Sequence, residues 1–191
     1  MTKRLLLVLL VALFPALAFA HTSADGGGFF AGLSHPVLGF DHLLAMISVG
    51  ILSAQMGGKA IWTVPSTFVS VMLIGGLLGI NNVPLFSVEL GIALSVLVLG
   101  VALAVDKKLP IVMAMLFVGF FALFHGHAHG TEMPRLAEPK YYALGFVVGT
   151  AGIHIAGVLI GLISQKFTQG AQLLRFVGAG IAGIGFHLMI M

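Results

Sequence analysis

The run His35-Pro36-Val37-Leu38-Gly39-Phe40-Asp41-His42-Leu43-Leu44-Ala45-Met46 sets two imidazoles and a carboxylate at the head of a long apolar stretch. Proline suits the first position of a helix, where its fixed φ fits and its missing N–H costs nothing. A helix opening at Pro36 leaves His35 and His42 seven residues apart. Seven steps of about 100° return to nearly the same face. Ionisable groups are expensive inside a bilayer, so three of them at a membrane helix's entrance point to a site. The plainer alternative is a capping region with a hydrogen-bonded histidine.

Composition requires the membrane. Of 191 residues, 59% are hydrophobic and only 8% charged, whereas soluble domains carry roughly 25% charged residues. No water-facing surface can be assembled from so few charges, so a lipid bilayer is the expected partner. The net charge of +3 belongs to the loops and gives no case for nucleic acid. Cysteine is absent, which removes disulfides, thiolate catalysis and soft thiolate metal sites. Eight histidines in so apolar a chain are the oddity that remains.

Residues 1–20 read as a cleavable signal peptide: Lys3 and Arg4, an apolar core from Leu5 to Phe14, then Ala18-Phe19-Ala20. Cleavage there makes His21 the mature N-terminus, whose amine and imidazole together can chelate. Residues 21–34 read as a flexible polar lead-in. Six apolar runs follow near 36–56, 60–80, 86–105, 109–126, 141–164 and 171–190, each able to cross about 30 Å of hydrocarbon. The expected fold is all-α, a polytopic membrane bundle of six transmembrane helices in one domain over 21–191.

Lys59, Lys107, Lys108 and Lys166 fall in alternate loops, and the positive-inside rule makes those loops cytoplasmic. Both mature termini then lie on the far side of the membrane from the cytoplasm. Many of the 26 glycines lie within helices, as at Gly157 and Gly161, where small faces allow close approach. Those faces serve a tight monomer or an oligomer equally well.

A second cluster, Phe124-His125-Gly126-His127-Ala128-His129-Gly130-Thr131-Glu132, ends the fourth run. On a continued helix His125 and His129 share a face, with Glu132 three residues on. A histidine pair at this spacing is a familiar way to hold a divalent cation; the alternative is a histidine-rich loop. His127 points elsewhere. The first helix runs inward and the fourth outward, so both clusters reach the outer face. Glu89 is the acid of its own helix interior, expected to face protein or water. His154 lies deep in the fifth run, at a depth suited to a relay; the alternative is a histidine bonded to a backbone carbonyl. Imidazole plus carboxylate without thiolate suits Ni²⁺, Co²⁺ or Zn²⁺.

Together, His35-Pro36-x-x-Gly39-x-Asp41-His42 and Phe124-His125-Gly126-x-Ala128-His129-Gly130-x-Glu132 resemble the HupE/UreJ family of bacterial nickel permeases. The resemblance implies His35, Asp41, His42, His125, His129 and Glu132 as transport residues and favours Glu89 on the path. It implies Ni²⁺, or Co²⁺, as transported substrate rather than a prosthetic group. The resulting expectation is a secondary permease or facilitator, not an enzyme, importing metal from the periplasm through a site near the outer face. No Gly-x-x-x-x-Gly-Lys-Ser/Thr phosphate loop is present. The membrane potential suffices instead, since two charges moving inward gain about 4.6 kcal/mol per 100 mV. The rivals are a membrane metalloenzyme with a histidine–carboxylate site and a haem carrier with axial histidines.

Overall fold

The computed structural model describes residues 27–135 and 137–191. The expected signal peptide and His21 lie outside the described residues. Seven helices and no strand occur among them: α1 Gly27–Leu38, α2 Phe40–Met56, α3 Ala60–Ile80, α4 Val88–Val105, α5 Ile111–Thr131, α6 Pro139–Ser164 and α7 Gly170–Ile190. The helices α3 to α7 are each long and apolar enough to cross a membrane, and α1 with α2 forms a further apolar pair broken by a sharp bend, which makes five to six candidate spans. The chain is thus a multi-pass membrane helix bundle.

The first apolar run departs from expectation. Pro36 does not open a helix; it sits inside α1, and the chain turns by 82° between α1 and α2. The break falls at Gly39, in extended backbone with φ −85° and ψ 110°. Proline had already removed one α-helical bond just upstream, so the end of α1 was weakened. The expected flexible lead-in is helical from Gly27 onward. Glycine is a poor helix former in isolation, but here it lets α1 lie on α6. A Cβ on Gly32 would meet the Tyr142 carbonyl oxygen at 2.0 Å, and one on Gly145 the Phe29 carbonyl oxygen at 1.9 Å.

Small residues set the other contacts too. The helices α3 and α5 run side by side in the same direction, Gly75 against Leu123 and His127, Gly79 against His127 and Gly130, and Gly126 against Met72. In the same way Gly157 rests on Ile47 and Gly161 on Ala54, which fixes α2 along α6. The buried core holds Met46, Val49, Phe68, Met72, Val96 and Leu103. Phe120, Leu116, Phe176 and Phe186 are exposed on the outside, where a bilayer would cover them.

Candidate metal centre

Four of the histidines converge on one end of the bundle, where α2 begins and α5 finishes. The ring of His129 is the hub. Its centroid lies 4.7 Å from that of His35, 4.3 Å from that of His42 and 4.3 Å from that of Phe146. The His42 and His125 rings lie 4.7 Å apart, nearly perpendicular. Residues from α1, α2 and α5 therefore build one cluster. His35 and His42 reach it because the chain bends between them, not because one straight helix presents both.

Exposure falls steadily from the rim inward. The Glu132 side chain is 53% exposed and that of His35 24%, and the Glu132 carboxylate is 3.0 Å from His35 Nε2. His129 is 2% exposed and His125 is fully buried. At the rim His35, His129 and Glu132 each offer one ligand atom, all within 4.8 Å of one another. Two imidazoles and a carboxylate in that space match the donor chemistry of borderline divalent cations.

One layer deeper, Asp41 orients His42. One carboxylate oxygen accepts from the His42 backbone N–H and from His42 Nδ1, each at 2.8 Å. The acid also lies in the first turn of α2, where the helix dipole favours a negative charge. Giving Nδ1–H to the carboxylate leaves the His42 Nε2 lone pair free, and that nitrogen is buried with no hydrogen-bond partner. A carboxylate behind an imidazole is a recurring support for a metal ligand. Gly39 makes room for it: a Cβ there would sit 3.0 Å from His42 Nδ1 and 3.2 Å from the Asp41 oxygen.

Unpartnered nitrogens accumulate at this point. His125 Nδ1 and both ring nitrogens of His129 are likewise buried without a partner. Each such group costs about 1–3 kcal/mol unless something binds it. A cation binding any one of these lone pairs would offset that cost at that nitrogen.

The remaining histidines divide. His127 turns away, as its position implied, and donates from Nε2 to the Val83 carbonyl oxygen at 2.8 Å. His187 is exposed on α7. His154 is 2% exposed in α6, with both nitrogens unpartnered rather than bonded to a carbonyl. It is separated from the cluster by one ring, Phe68, whose centroid is 5.5 Å from His125 and 5.1 Å from His154. Beyond His154 a cleft of about 280 Å³ opens between α3 and α6, lined by Trp62, Pro65, Ser66 and Ser70. Pro65 lies within α3 and cannot donate to the carbonyl of Ile61, a residue that also lines the cleft.

Glu89 is not drawn into the cluster. It lies exposed in the first turn of α4, and among the described residues no hydrogen bond joins it to a histidine. Phe68 and Ser95, which touch His154 and His125, escaped the sequence reading. An aromatic and a serine inside apolar runs carry no local signal of such contacts.

Comparison with known proteins adds to this geometry. The family described as "HupE / UreJ protein" matches residues 8–188. The "Protein HupE" of Rhizobium leguminosarum bv. viciae is 44% identical over 177 residues, which are 92% of this chain and 92% of that one. No solved structure matches.

Proposed function

Because the chain belongs to the HupE/UreJ family, we propose that it is a secondary permease or facilitator carrying Ni²⁺, or Co²⁺, across the inner membrane into the cytoplasm. One observation carries this: the His42 ring lies 4.7 Å from that of His125 and 4.3 Å from that of His129, and all three carry a buried ring nitrogen without a hydrogen-bond partner, beneath an exposed acid. Glu132 and His35 capture the hydrated ion at the periplasmic rim and share it with His129. His42 and His125 then replace further water ligands one at a time, Asp41 holding the His42 ring in its coordinating tautomer. Phe68 closes the apolar step to His154, whose free imidazole is the next donor on the way in. No tight cage is required, because a transported ion must leave each ligand set as readily as it enters.

The inward direction rests on two further points. Loop lysines are concentrated at the opposite end of the bundle from the cluster, which the positive-inside rule assigns to the cytoplasm. An inside-negative potential then favours import of a divalent cation. Glu89, exposed near the same rim, would contribute negative potential rather than a ligand.

The test is uptake of radioactive nickel and cobalt by cells expressing the wild type or single alanine variants at Asp41, His42, His125 and Glu132. Each variant should lower flux while its membrane level stays near normal. Equal uptake across the set overturns the assignment. The rim trio of His35, His129 and Glu132 also has the donor set of a metalloenzyme, and stoichiometric metal surviving purification without cellular uptake would favour that alternative.

A further inference from the structure

Ser95 lies in the middle of α4, fully buried, and its hydroxyl makes two short contacts. The oxygen is 2.6 Å from the Ile92 carbonyl oxygen and 2.8 Å from His125 Nε2. A hydroxyl owns one proton, and a carbonyl can only accept. Two oxygens at that separation need the proton between them, so Ser95 donates to Ile92. Its lone pairs then face His125, and the contact is a hydrogen bond only if Nε2 carries the ring proton. A neutral imidazole has one N–H, so the lone pair belongs to Nδ1, the nitrogen that is buried without a partner.

We propose that Ser95 is a positioning residue for metal transfer, holding His125 as the Nε2–H tautomer so that Nδ1 is its coordinating atom. The proposal rests on the permease reading of the cluster and adds to it which nitrogen binds and what fixes it. The facing pair is then complementary. Asp41 takes the Nδ1 proton of His42 and frees Nε2, whereas Ser95 takes the Nε2 proton of His125 and frees Nδ1. The supports also differ in charge. A carboxylate raises the basicity of the ring it backs, and a hydroxyl that already donates elsewhere does so far less. His42 is accordingly the stronger ligand of the two and His125 the weaker one, from which an ion departs.

The full-length protein in detergent, with isotope-labelled histidine nitrogens, tests the tautomer directly by NMR; a His125→Gln spectrum supplies the assignment. The proton should be found on Nε2 of His125, and finding it on Nδ1 overturns the proposal. In cells, Ser95→Ala should raise the KM for nickel about 10- to 100-fold, the usual effect of losing a ligand's support, with the maximal rate retained and Ser95→Thr restoring the KM. A Ser95→Ala protein whose KM is unchanged while its membrane level falls would mark simple packing and overturn it. His125→Ala and His42→Ala separate the two levels of inference. If both abolish uptake and Ser95→Ala leaves KM within two-fold of wild type, the site stands and Ser95 has no such role. If neither affects uptake, the site itself fails and the Ser95 proposal with it.

Discussion

Replacing Gly126 by alanine puts one methyl where the bundle has no room for it. The added Cβ would lie 1.9 Å from the Met72 carbonyl oxygen, 2.7 Å from the Met72 carbonyl carbon and 2.9 Å from the Gly76 nitrogen. All three are backbone atoms, so no side chain can swing aside. Reaching ordinary contact at about 3.5 Å requires α5 to draw back from α3 by about 1.5 Å. Gly126 is flanked by His125, and His129 lies one turn on, so the two imidazoles move with it. Metal–ligand distances tolerate only about 0.2 Å, and the displacement is several times larger. Overpacking of this kind also costs about 1–3 kcal/mol, which the remaining helix contacts can absorb. Uptake of radioactive nickel at low concentration should therefore fall at least about ten-fold, with protein still detected in the membrane fraction. Gly119→Ala, on the same helix, is the control: its Cβ would meet Thr67 and Val71 methyls at 3.5 Å, an ordinary contact. Uptake by Gly126→Ala within two-fold of wild type would refute the claim that this approach positions the cluster.

Other expectations follow from individual contacts. Asp41→Asn keeps the size and an accepting oxygen but removes the charge behind His42, so nickel KM should rise about ten-fold or more; an unchanged KM would take Asp41 out of the site. Glu132→Gln removes an exposed charge at the rim, so it should slow capture at low metal and flatten the dependence of uptake on ionic strength. If salt dependence matches wild type, Glu132 does not steer the ion. Protons compete with metal for imidazole lone pairs, so the apparent affinity for nickel should weaken as the medium is acidified. A KM that stays constant until the protein itself unfolds would remove imidazole from the ligand set.

Hydropathy located most of this bundle because lipid imposes a strong and simple pattern. The run read at 60–80 is α3 itself, and that at 171–190 differs from α7 by one residue. Hydropathy ends the fourth run at 126, where a polar tract follows, yet α5 continues to Thr131. That extra turn is held by Gly126 and Gly130 against the α3 backbone, a tertiary contact that hydropathy does not register. The histidine spacing did register it, because His125 and His129 share a face only on a continued helix. Contacts such as Phe68 between two imidazoles, or Ser95 on His125, depend on which helices become neighbours. Nothing within one apolar run encodes that choice legibly.

The bend between α1 and α2 has a geometric consequence for the proposed metal path. On one straight helix, seven residues would separate His35 from His42 by about 10.5 Å along the axis. No single ring could then touch both, and an ion leaving one would have to be carried by water to the next. The 82° bend instead wraps α1 and α2 around His129, whose ring meets His35 at 4.7 Å and His42 at 4.3 Å. On the proposed path an ion would pass from the rim to the buried pair with His129 bound throughout, exchanging one ligand at a time. Each intermediate of that path would keep at least one imidazole bound, so no step would have to supply the whole cost of dehydrating a divalent cation. Proline inside α1 and glycine at the corner, residues that a uniform transmembrane helix would avoid, are what make that overlap possible.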